Sequence, residues 1–140
     1  MNRRDFALSV AGAAGAPQLS AATVKIPWSP GIKMAVQMGG DPTDEDLQFA
    51  NQIGVRYTAI TVDRKDDNVE TFLKIKARVE SAGLRVWNIG HDGNRNQEEI
   101  VLNLPGRDAR IEAYKQYLKN CGKANIRYVT YAHMGNGIWH

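Results

Sequence analysis

Gly83-Leu84-Arg85-Val86-Trp87-Asn88-Ile89-Gly90-His91 is the stretch on which the fold turns. It opens on a glycine able to take the left-handed conformation that ends a helix, then gives a branched apolar residue, an arginine and an apolar run. The same order of residue types returns at Gly54-Val55-Arg56-Tyr57 and at Asn125-Ile126-Arg127-Tyr128. Each stretch is a junction from an amphipathic helix to a buried strand, and the spacing between them is that of a βα unit.

Working outward from these junctions predicts the rest. Residues 32–38 read as the first strand, with Ile32, Met34, Val36 and Met38 alternating with Lys33, Ala35 and Gln37. Thr43 caps a helix over residues 43–53, and Asp44, Glu45 and Asp46 sit in its first turn, where the helix dipole favours carboxylates. The second strand spans residues 57–62. Asp67 and Glu70 have capping-box spacing for a second helix whose apolar stripe is Val69, Phe72, Leu73, Lys76 and Val79. The third strand covers residues 85–90, residues 97–104 form a short extra turn, the third helix covers residues 108–120, and residues 128–133 are the fourth strand. The expected class is α/β: parallel (β/α) units, about four strands and three helices, forming the N-terminal half of a TIM barrel. A complete barrel needs roughly 250 residues, and no fourth helix follows the last strand, so the 140 residues read as an incomplete chain. A small parallel domain complete in itself is the alternative. Half a barrel would leave open strand edges and an exposed lumen, so association into a homo-oligomer is expected.

Composition excludes several functions. The net charge of +3 is modest and partly due to Arg3 and Arg4, while the other basic residues are scattered along helix faces, so nucleic acid is not an expected partner. No apolar run is long enough to span a bilayer. Cys121 is the only cysteine, which rules out an intramolecular disulfide; with Ile111, Tyr114 and Leu118 it shares a helical face and reads as core filling. Arg3-Arg4-Asp5-Phe6, a weakly apolar Ala- and Gly-rich stretch and Ser20-Ala21-Ala22 have the order of a twin-arginine export signal. Residues 1–22 are thus expected to be a signal peptide and 23–140 the barrel portion, in an exported, periplasmic protein; a cytoplasmic protein with an uncleaved leader is the alternative.

Ligands of parallel α/β proteins bind where strands end and βα loops converge. The substrate-binding candidates are therefore Gln37, Asp63, His91, Arg95 and His133, flanked by Arg64, Asp92 and Asn136. Imidazole can hold a hydroxyl, ligate a metal or move a proton near neutral pH, which makes the two histidines the sharpest feature. Strict alternation puts Gln37 and Asp63 on the inner face with Ala35 and Thr61, but sends His91 toward the helices with Trp87 and Ile89, and His133 with Val129 and Tyr131. No zinc-ligand spacing, nucleophile elbow or dinucleotide fingerprint is present.

Asn88-Ile89-Gly90-His91, then Leu102-Asn103-Leu104-Pro105-Gly106-Arg107-Asp108 and Ile111-Glu112-Ala113-Tyr114-Lys115-Gln116, resemble the mannonate dehydratase family, which has a xylose-isomerase-like TIM barrel. The run 104–116 is its most specific part. The resemblance implies a metal-dependent lyase that dehydrates an aldonic acid to a 2-keto-3-deoxy acid, with a small sugar acid or sugar as ligand. A divalent ion, Mn²⁺ or Fe²⁺, is implied for the full-length protein, with His, Cys and Asp ligands on later strands and none in this chain; the 140 residues alone should then be inactive. His91 matches a histidine at the family's third strand end, so a substrate-side role is implied for it. Where the family commonly has Tyr-Asn-Phe-Met, this chain has Tyr131-Ala132-His133-Met134. The alternatives are a sugar isomerase or epimerase of the xylose-isomerase-like group and a non-catalytic exported sugar-binding barrel.

Overall fold

The computed structural model describes residues 30–94 and 97–131. In order, these form β1 (Ala35–Gly39), α1 (Asp44–Gln52), β2 (Tyr57–Val62), a 3₁₀ turn (Arg64–Asp66), α2 (Val69–Ser81), β3 (Arg85–His91), a second 3₁₀ turn (Asp92–Asn94), the short α3 (Glu98–Val101) and α4 (Arg107–Lys123). The strands make one parallel sheet in the order β1-β2-β3. Consecutive parallel neighbours joined through helices are the pattern of the N-terminal half of a TIM-barrel-like fold.

The repeated junction is one physical device used three times. Each helix ends with a backbone N–H reaching back five residues: Val55 to the Ala50 carbonyl at 3.0 Å, Leu84 to Val79 at 3.3 Å and Ile126 to Cys121 at 2.9 Å. The residue before each donor lies in the left-handed region, Gly54 at φ 75°, Gly83 at φ 78° and Asn125 at φ 56°. This is the Schellman arrangement, and the donor residues Val55, Leu84 and Ile126 are the buried apolar contacts that accompany it. The first two stops lead directly into β2 and β3.

The core fills the layer between sheet and helices. Leu47 and Ala50 of α1, Phe72, Ile75 and Val79 of α2, and Tyr117, Cys121 and Ala124 of α4 pack on Met38, Ile60, Val62, Val86 and Ile89. Cys121 is buried as expected, and burial pushes its thiol up to about 11. Its neighbour in the core is Tyr117, whereas Leu118 is exposed. On α2 the buried stripe is Phe72, Ile75 and Val79 and leaves Leu73 outside.

Several boundaries differ from the sequence expectation. The first strand begins at Ala35, because Ile32 and Met34 stand in solvent with no ladder partner in β2. The second helix is capped by Asn68, whose side chain accepts from Thr71 N–H at 2.9 Å. Asp67 is instead held across the fold by the Asn120 amide, which donates to its carbonyl at 3.1 Å and to its carboxylate at 3.2 Å. Three strands rather than four pair among the described residues. Residues 128–131 lie against β3 through side chains, with the Asn88 amide donating to Thr130 Oγ1 at 3.1 Å and the Tyr128 ring 5.2 Å from Trp87. The leader, Arg95, His133 and Asn136 lie outside the described residues.

Candidate functional site on the inner face of the sheet

What a strand presents to the inner face depends on register, and β3 breaks register once. Thr58 pairs with Val86 and Ala59 with Asn88, so Trp87 is the extra residue of a β-bulge. Val86 stays in the core, and the bulge turns both Trp87 and Asn88 to the inner face. Beyond the bulge Ile89 and His91 return to the helix side.

The inner face carries a cleft of about 270 Å³ lined by Gln37, Thr61, Trp87, Asn88, Gly90 and Thr130 among others, and His91 and Asn94 border it as well. Trp87, Tyr128 and Tyr131 supply its aromatic lining: Tyr128 tilts over Trp87, and the buried Tyr57 ring backs Trp87 edge to face at 5.8 Å. Amides and hydroxyls form its walls nearer the strand ends. Gln37 Nε2 donates to Thr61 Oγ1 at 3.2 Å, which fixes one amide, and the bond to Thr130 fixes the amide of Asn88. The amide oxygens and hydroxyls left over can accept and donate toward a ligand. Neither Asp, Glu, Lys nor Arg lines this cleft among the described residues. An uncharged ring of amides and hydroxyls beside an aromatic lining is suited to hydroxyl groups on a short carbon chain.

The sequence-derived candidates divide between faces. Gln37 lies in the cleft. Asp63 is exposed, paired with Lys65 at 3.4 Å, and borders a separate groove with Gly39, Gly40, Asp41 and Lys74. His91 is only 6% exposed and sits at the end of β3 on the helix side, its Nε2 3.5 Å from an Asp67 carboxylate oxygen and its ring edge-to-face with Tyr117 at 5.3 Å. Tyr117 fixes that end of β3 by donating from its hydroxyl to the Ile89 carbonyl at 2.6 Å, and burial pushes its pKa far above that of a free tyrosine, so the hydroxyl stays protonated. Arg95 and His133 are not described. Sequence reasoning missed Asn88, Thr61 and Thr130. Asn88 carried a signal, since asparagine is disfavoured in the middle of an apolar strand unless its amide has work to do.

Among the described residues no three His, Cys, Asp or Glu side chains come together to hold a metal ion. Cys121 faces the core with its thiol protonated, and His91 with Asp67 makes only a pair. The described residues thus do not by themselves fit the divalent ion that the resemblance implies.

Parallel βα units with a cleft of amides and hydroxyls on the inner face define the class as a TIM-barrel-like α/β protein. The comparisons with known proteins specify which. A model of the family D-mannonate dehydratase (UxuA) matches residues 47–140, and the chain belongs to that family. Mannonate dehydratase of Thermotoga petrophila is 39% identical over 71 residues, 51% of this chain and 19% of the relative. The Thermotoga maritima protein of the same name is 40% identical over 70 residues, 50% of this chain and 19% of its own length. The Streptococcus suis one is 38% identical over 71 residues, again 51% and 19%. Each match thus spans about a fifth of these relatives' length. No solved structure matches the chain.

Proposed function

We propose that the chain forms the N-terminal wall of an aldonic-acid dehydratase, a carbon–oxygen lyase of carbohydrate metabolism, with D-mannonate as the first substrate to test. The observation that carries this reading is the amide and hydroxyl cleft at Gln37, Thr61, Asn88 and Thr130, in a chain whose family match covers residues 47–140. In this reading the inner-face amides grip the hydroxyls of the open-chain sugar acid and set its orientation. Such positioning makes the eliminating groups react as if at high effective concentration. The family's divalent ion would supply Lewis-acid stabilisation of the developing negative charge. Its ligands are not among the described residues.

A chimera tests the proposal: residues 47–140 replace the corresponding segment of the Thermotoga maritima relative. Turnover of D-mannonate to a 2-keto-3-deoxy acid is the expected outcome. A chimera that folds and loads metal like its parent yet turns over no aldonic acid would refute the reading.

We also propose that the protein is exported. The support is the Arg3-Arg4-Asp5-Phe6 leader and the small residues at Ser20-Ala21-Ala22. Replacing both arginines by lysine should hold a fused reporter in the cytoplasm, and unchanged periplasmic recovery would count against export.

A further inference from the structure

A second, smaller cavity lies on the other side of β3, between the two 3₁₀ turns and α4. It holds about 80 Å³ and is lined by Arg64, Asp67, His91, Gly93, Asn94, Gln97, Arg110, Ala113 and Tyr114. A water needs about 10–15 Å³ of such space, so the cavity admits a few waters or one small ion. We propose that it is a binding site for one small oxyanion, a carboxylate or phosphate group, adjoining the inner-face cleft with which it shares His91 and Asn94.

Three observations support the site. The first is Asn94, 5% exposed, whose Nδ2 is buried without a hydrogen-bond partner. A buried amide donor left unsatisfied costs about 1–3 kcal/mol, and an acceptor in this cavity would recover that cost. The second is Arg64. It interacts through space with Glu99, but among the described residues no carboxylate forms an ion pair with it, so its guanidinium is available to an anion. The third is Gly93, which gives that guanidinium its place: a Cβ at residue 93 would stand 2.5 Å from both Nε and Nη2 of Arg64. Glycine there lets the planar cation lie against the loop that carries Asn94.

The neighbouring charges set the sign and limit the ligand. Arg110 already spends its Nε on Glu99, at 3.2 Å, and Asp67 faces His91 and Asn120. Among the described residues Arg64 has no ion-pair partner, while the Asp67 carboxylate shares the lining and repels further negative charge, so the site suits a single small anion on the Arg64 and Asn94 side and not a polyphosphate. A guanidinium fork with an amide donor beside it is the donor pattern that oxyanions take.

The test is calorimetric titration of the whole chain with inorganic phosphate and, separately, with acetate, each against sodium chloride at equal ionic strength. Saturable one-site binding is expected for at least one of them; phosphate alone identifies a tetrahedral anion and acetate identifies a carboxylate. Arg64→Gln should weaken that binding on the order of tenfold, the usual loss for one charged hydrogen-bond partner. Gly93→Ala should do the same while keeping every charge, because it displaces the guanidinium. Arg64 is solvent-exposed, so its variant keeps the fold, which circular dichroism checks. Absence of saturable binding by either anion, or binding undiminished in both variants, overturns the proposal.

Discussion

Replacing Tyr117 by phenylalanine isolates the contact that ties the long α4 helix to the ligand end of β3. The substitution removes one oxygen and keeps the ring, so the edge-to-face contacts with Phe72 at 6.4 Å and His91 at 5.3 Å survive. What is lost is the 2.6 Å bond to the Ile89 carbonyl, along with the weaker contact to the Cys121 thiol, in a place where Tyr117 is 1% exposed and water does not replace it. A buried carbonyl stripped of its donor costs about 1–3 kcal/mol. Phenylalanine is easier to bury than tyrosine and offsets part of that, leaving a net loss of about 1–2 kcal/mol. For a chain of this size the melting temperature should fall by roughly 3–8 °C. Urea unfolding should show a lower midpoint with an unchanged slope, since the surface exposed on unfolding is the same. Tyr117→Leu, which also forfeits the ring contacts, should cost distinctly more. If the phenylalanine variant matches the parent within about 0.3 kcal/mol, the hydroxyl does not anchor β3 and the account of how α4 positions the strand end is wrong.

Other perturbations test the same scaffold. Gly83→Ala should destabilise by about 1 kcal/mol through backbone strain alone, because φ is 78° and a methyl there meets nothing within 4 Å; an equally stable variant would refute the capping argument. Cys121 should resist thiol reagents at pH 8 in the native state and react fully in urea, and rapid native labelling would contradict its burial. Its folded value of about 11 lies above the ordinary thiol value of about 8.5, so the burial term stabilises fully below that lower pH. It is lost as pH rises toward the folded value, and urea midpoints measured from pH 8 to 11 should fall accordingly; a flat profile would refute it. The 140-residue chain alone should show no Mn²⁺- or Fe²⁺-dependent aldonate turnover, because its described residues assemble no metal site, and measured turnover would overturn that.

The parts of the fold legible in sequence are the local ones. The helix stops at Gly54, Gly83 and Asn125 are set by bonds that span five residues, and β2 begins and ends where its apolar run does. Thr43 and Asp46 likewise declare their reciprocal cap within one turn, and the Thr43 hydroxyl and backbone hold the Asp46 carboxyl below the usual range. Asp67 was misread as a cap because its partner, Asn120, stands on a different helix. The cleft was hidden for another reason. Alternation grouped Trp87 with Ile89 and His91, and one bulged residue parts Trp87 from them and brings Asn88 inward. Nothing in the local sequence marks a bulge there. The same alternation rightly sent His91 toward the helices, where Asp67 and Tyr117 meet it.

The central claim, that the inner face of this sheet is the sugar-acid surface, is tested most directly by following backbone and side-chain amide resonances while D-mannonate is added to the isotopically labelled chain. The account predicts saturable shifts concentrated at Gln37, Thr61, Asn88 and Thr130, including both side-chain amides. Shifts confined to the groove around Asp41, Asp63 and Lys74, or none at any concentration, would contradict it.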